Sequence, residues 1–149
     1  MSIVSPAEKK ELIERLAHES CSCLISDGRT VYVGRERGVR DLFRLLETEP
    51  EVLRGAFVAD KVVGKGAASL MAAGGVAEVY AAVISRPALR LLTESDVAVS
   101  YGTLAENIIN RAGTDICPVE KLCADCRTAA ECLPLIKRFI NEQIQNQKL

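Results

Sequence analysis

Apolar positions along the chain switch repeatedly between two periods, and the switches mark out its elements. Leu12, Ile13, Leu16 and Ala17 form one stripe at helical spacing behind Ser5-Pro6-Ala7-Glu8, a capping box with proline at the first helical position. An opening helix within residues 1–19 follows. SCSCLIS and TVYV are short β-favouring runs on either side of Asp27-Gly28-Arg29, which predicts a β-hairpin. Val39, Leu42, Phe43, Leu45 and Leu46 then return to helical spacing until Pro50.

Strand and helix patterns alternate after that point. GAFVADKVVG reads as a strand, either continuous or turning around Asp60-Lys61, and KGAASLMAAGG as a helix of small residues stopped by paired glycines. EVYAAVIS is an apolar strand, RPALRLLTES a helix that Ser85 can cap, and VAVSY a short strand. Thr103-Leu104-Ala105-Glu106 has the form of a second capping box, opening a helix LAENIINR that Gly113 ends. Leu135, Ile136, Phe139, Ile140 and Ile144 give a last helix its apolar face, starting either at Thr128-x-x-Glu131 or nearer Pro134. Such alternation implies parallel strands side by side with helices over the sheet, and the hairpin makes the sheet mixed, with about five strands.

Composition narrows the class. With 149 residues, 48% of them hydrophobic and 26% charged, the chain can bury one core, so a single domain over residues 1–149 is expected. Within it we expect an N-terminal helix (1–19), an α/β core (20–112) and a cysteine-rich segment with the last helix (113–149). A net charge of -1, with basic and acidic residues interspersed, leaves no broad field for nucleic acid. The first ten residues are already charged and no apolar run reaches spanning length, so neither a signal peptide nor a membrane segment is expected; the expected compartment is the cytoplasm. A homo-oligomer is left open by composition.

In a reducing compartment, clustered cysteines are metal ligands or functional thiols sooner than structural disulfides. Cys117, Cys123, Cys126 and Cys132 are spaced C-x5-C-x2-C-x5-C. The inner C-x2-C suits a turn around a soft cation, and the outer two can complete four ligands. The alternatives at this point are structural zinc, an iron–sulfur cluster, redox-active thiols, or no cofactor at all. Cys21 and Cys23, placed on the first strand, are expected to point to the same side and to pack as small apolar residues.

Gly64-Lys65-Gly66 falls where a strand hands over to a helix, the place where open α/β sheets bind ligands. Free amides at the helix start, glycine's lack of a Cβ and the Lys65 charge would together cradle a phosphate or carboxylate; the alternative is a turn that merely packs closely. It is not a Walker loop. Ser85 and Arg86 sit at the next strand end and could face the same small anionic ligand, or serve only as a cap and a solvated charge. His18, at the end of the first helix, is expected on the surface.

The run GKGAASLMAAGGVAEVYAAVISRPALRLL, through VSY to INRAGTDICPVE, resembles domain-of-unknown-function family 1893, over about residues 20 to 120. The resemblance implies a cytidine-deaminase-like fold, a three-layer α/β/α sandwich around a mixed sheet, and no known reaction. Zinc deaminases carry His-x-Glu and Pro-Cys-x-x-Cys at the two helix starts matching GKGAA and SRPALRLL. Neither stretch contains His, Cys or Glu, which excludes ordinary zinc deamination. The family-like motif holds Asn110, Arg111, Thr114 and Cys117. Asn110 and Thr114 are added to the ligand candidates, and Cys117, activated by Arg111, is a candidate nucleophile. Two readings stand: a domain binding a small anionic or nucleotide-like ligand and carrying a four-cysteine metal segment; and a protein whose chemistry runs through its cysteines, either a redox or iron–sulfur protein or an enzyme with Cys117 as its nucleophile.

Overall fold

The structure, a computed structural model, describes residues 4–36, 39–110 and 112–148, with side chains described to residue 144. The helix α1 (Pro6–His18) starts as expected, with Ser5 Oγ accepting from the Glu8 amide at 3.2 Å. The hairpin follows as β1 (Cys23–Ser26) and β2 (Val31–Gly34). Its turn is held by Asp27, whose Oδ1 accepts from the amides of Arg29 and Thr30, both at 2.8 Å. These bonds hold the Asp27 carboxyl below its usual range, the one from Thr30 first.

Next come α2 (Arg40–Thr48), a short 3-10 turn, β3 (Phe57–Val63), α3 (Lys65–Gly74), β4 (Glu78–Ser85), α4 (Arg86–Glu94) and β5 (Ala98–Ala105). The chain closes with α5 (Pro118–Leu122) and α6 (Ala129–Lys148). The sheet runs β2-β1-β3-β4-β5, antiparallel across β2-β1-β3 and parallel across β3-β4-β5, so the expected mixed five-stranded α/β sheet is borne out.

Two cores flank it. Leu12 and Leu16 of α1 pack on Leu24, Phe57 and Ala59 on one face. The other face carries the larger core, contributed by α2, α3, α4, α5 and α6. Helix α3 is at its centre, packed by α2, α4 and α6. That placement explains its composition, since Gly66, Ala67, Ala68 and Ser69 are all buried and small residues let neighbouring helices close in.

Two open alternatives are decided and one expectation is corrected. Asp60-Lys61 makes no turn, because β3 is paired continuously between β1 and β4. Thr103-Leu104-Ala105 opens no helix: these residues extend β5, which pairs along the whole of β4 from Glu78↔Ala98 to Ser85↔Ala105. Finally, α6 starts at Ala129 with Pro134 inside it. Its start is closed by Thr128 Oγ1 accepting from the Glu131 amide at 3.3 Å and Glu131 Oε2 accepting from the Arg127 amide at 2.9 Å.

Candidate ligand crevice and thiol cluster

The carboxyl ends of β3 and β4 lie side by side, so the starts of α3 and α4 converge there. A carboxylate occupies the position between them. Glu120, in the first turn of α5 and only 3% exposed, accepts at Oε1 from the Lys65 amide (3.0 Å) and from Ser85 Oγ (2.5 Å), and at Oε2 from the Ile108 amide. At the Lys65 amide and Ser85, where an external anion was expected, the chain's own carboxylate is bound. Ser85 also accepts from the Ala88 amide at 3.3 Å, capping α4 as expected.

The two glycines admit α5 to this position. A Cβ on Gly66 would stand 2.2 Å from Val119 Cγ1, and one on Gly64 would stand 3.2 Å from Ile108 Cγ1 and 3.4 Å from Glu120 Oε1. Close packing accounts for both, and neither has a positive φ.

Beside this plug opens a crevice of about 750 Å³. Lys65, Arg86, Arg90 and Arg127 bring positive charge to its lining, and Glu94, Glu106 and Asp125 bring negative charge. Arg86 is paired with Glu106 at 2.5 Å, both well exposed. Lys65, 8% exposed, donates from Nζ to the carbonyls of Ala124 (3.1 Å) and Cys126 (2.5 Å), and to no carboxylate among the described residues. The guanidinium groups of Arg90 and Arg127 have no ion pair among the described residues, leaving them available to a ligand.

Of the expected cysteines, Cys126 lines the crevice, while Cys123 and Cys132 are fully buried. Cys132 lies in the first turns of α6 and hydrogen-bonds with Cys123, Ser69 and Cys126. Those bonds, the one with Cys123 foremost, hold its thiol below the ordinary range with help from the Lys65 charge and against the effect of burial. The Cys123 thiol is pushed up, chiefly by donating to Cys132, and that of Cys126 chiefly by burial. Cys117 is not in this network; it is half-buried at the N-cap of α5. Among the described residues no group of three or more His, Cys, Asp or Glu side chains is placed to hold a metal ion, so the four-cysteine clasp, whether for zinc or for iron–sulfur, is not supported.

Other expected residues are placed elsewhere. Asn110 Oδ1 accepts from the amides of Thr114 (3.1 Å) and Asp115 (3.4 Å), and its Nδ2 donates to Thr114 Oγ1 at 3.2 Å. Both side chains thus hold their own loop and do not line the crevice. Arg111 lies outside the described residues. His18 is exposed at the end of α1, as expected. Cys21 and Cys23 are buried, but in different cores on opposite faces of the sheet, since Cys21 precedes β1 and escapes its alternation. Behind Cys23, burial pushes the Asp60 carboxyl up to about 7.

Glu120, Arg90, Asn107 and Arg127 are site residues that sequence reasoning missed. Only Glu120 carried a local signal, an acid in the first turn after Pro118.

An α/β domain with a polar crevice and a thiol cluster at the carboxyl ends of its parallel strands is thus defined. By sequence, residues 11–140 match the family described as "TM1506: Domain of unknown function (DUF1893)", and the chain belongs to that family. Among solved structures, it is similar to that of a DUF1893 family protein (TM1506) from Thermotoga maritima, with a TM-score of 0.82, 27% identity and 91% of each chain covered. No curated protein matches.

Proposed function

We propose that this protein binds a small anionic ligand in the crevice beside α4. The observation that carries the reading is the pair of guanidinium groups, Arg90 and Arg127, that line a pocket of about 750 Å³ at the carboxyl ends of parallel strands and have no ion-pair partner among the described residues. Such a position is where open α/β sheets bind ligands, and Arg is the side chain suited to phosphate and carboxylate. Glu94 and Asp125 in the same lining favour a molecule that also carries hydrogen-bond donors, such as a nucleoside monophosphate.

The strand order β2-β1-β3-β4-β5, with helices on both sheet faces, supports a cytidine-deaminase-like sandwich. At the two helix starts where a deaminase would carry its zinc ligands, this chain has the Lys65 amide and Ser85, both held by Glu120. Nothing there supplies a metal-bound hydroxide. The reading is therefore binding without zinc deamination.

Calorimetric titration with inorganic phosphate, pyrophosphate, a dicarboxylate and a nucleoside monophosphate tests it. Binding by at least one of these, weakened roughly 10- to 100-fold in Arg90→Ala as expected for the loss of one charge-assisted contact, is the predicted result. Equal binding by parent and variant, or no binding by either, would sink it.

A further inference from the structure

The sheet ends differently at its two edges. On one side β2 is four residues long; on the other β5 runs for eight, AVSYGTLA, with no charged residue and no proline. Because β5 pairs with β4 along its length, alternate residues turn their N–H and C=O groups towards the free side. Ala98, Ser100, Tyr101, Gly102 and Thr103 are exposed, Tyr101 to 43%. Helix α4 packs on one face of the strand, while α1, on the other face of the sheet, packs on β1 and β3. Long edge strands are ordinarily blunted by charges or proline, because their unpaired groups template another strand. Neither blunts β5.

The charges stand at its two ends instead. Asp96, exposed and without an ion pair among the described residues, precedes the strand. Glu106 follows it and holds the exposed Arg86 guanidinium at 2.5 Å. A free carboxylate therefore marks the start of the edge and a guanidinium its finish.

We infer that β5 is the interface at which two copies of this chain pair, antiparallel about a two-fold axis, joining their sheets into one. A two-fold lets the same strand complete both edges at once. Antiparallel order sets the Asp96 end of each copy beside the Arg86 end of the other, so both charge contacts form together. The middle of the strand, where each residue nears its own copy, is uncharged and free of like-charge repulsion. Parallel order would set Asp96 against Asp96 and Arg86 against Arg86. The backbone groups alone would accept any strand; the matching of the ends singles out the chain's own reversed copy.

Sedimentation velocity of the full chain over a concentration series, with amide hydrogen exchange at β5, tests this. A species of twice the chain mass is expected, with exchange at β5 slowing as it forms. Tyr101 lies at the middle of β5, so Tyr101→Glu places like charges near the axis and should raise the dimer dissociation constant about 10-fold or more. Tyr101→Lys should do the same, and an equal mixture of the two should dimerise again, a recovery that reads pairing and not folding. Asp96→Asn keeps a side chain suited to the φ of 61° at that position, and should weaken the dimer and flatten its salt dependence. Val31→Glu, on the opposite edge, should leave the dimer unchanged. A chain that is monomeric at every concentration, a dimer indifferent to Tyr101→Glu, or β5 amides protected only by a polypeptide of different sequence would overturn the assignment.

Discussion

Replacing Glu120 with alanine is the most informative perturbation of the fold. Its carboxylate accepts three hydrogen bonds, from the Lys65 and Ile108 amides and from Ser85 Oγ, in a site 3% exposed. Each hydrogen bond to a charged acceptor is worth about 1.5–3 kcal/mol. Deleting the carboxylate also removes the cost of burying its charge, several kcal/mol, while the Lys65 amide and the Ser85 hydroxyl stay buried without their partner and the half-buried Ile108 amide loses its own. Removal of one partner from a buried charged network accordingly costs about 3–5 kcal/mol. Against a total stability of about 5–15 kcal/mol, this is a large fraction. Urea unfolding followed by circular dichroism measures it as a fall in the midpoint at constant slope. Glu120→Gln keeps the volume but turns an amide donor towards another donor, and should cost about 1–3 kcal/mol. Glu106→Gln, which breaks an exposed pair with Arg86, should stay within about 1 kcal/mol of the parent. A loss below about 1 kcal/mol in Glu120→Ala would refute the plug.

Two further outcomes follow from particular contacts. Gly66→Ala should destabilise by about 1–3 kcal/mol because its Cβ would meet Val119 Cγ1, and Val119→Ala in the same chain should recover part of that loss in a double-mutant cycle read by urea unfolding. Asp60 titrates near 7 when folded and near 3.8 in its ordinary state, so between those values the folded state holds more protons than the unfolded one. Stability from this group must then fall as pH rises from about 4 to about 7, by roughly 3–4 kcal/mol in all. Unfolding midpoints at pH 5 and pH 8 should show the fall in the parent and lose most of it in Asp60→Asn.

Elements governed by neighbours in sequence were legible, and those governed by distant partners were not. Ser5 and Pro6 specify the start of α1 within one turn, and Asp27 closes the hairpin through amides two and three residues on. Thr103 to Glu106 carries the letters of a capping box, yet the ladder to β4 outweighs it and draws Thr103, Leu104 and Ala105 into β5. Gly64, Lys65 and Ser85 were singled out as a cradle for an external anion, and the structure shows the Lys65 amide and Ser85 Oγ donating to a carboxylate of the chain itself. What holds them is Glu120, 55 residues from one partner and 35 from the other, and no local pattern reveals such a pairing. The cysteine spacing likewise pointed to sulfurs gathered in one place. It could not tell that Ser69 and Lys65 of α3 complete their surroundings, or that Cys117 would serve as the N-cap of α5.

The central claim, that the crevice holds a small anion, is tested most directly by amide and side-chain chemical-shift mapping during a titration with a nucleoside monophosphate. Shifts concentrated at Arg86, Arg90, Asn107 and Arg127, saturating with a single affinity, are the predicted result. Shifts absent from those residues, or spread along the surface in proportion to ionic strength alone, would contradict the account.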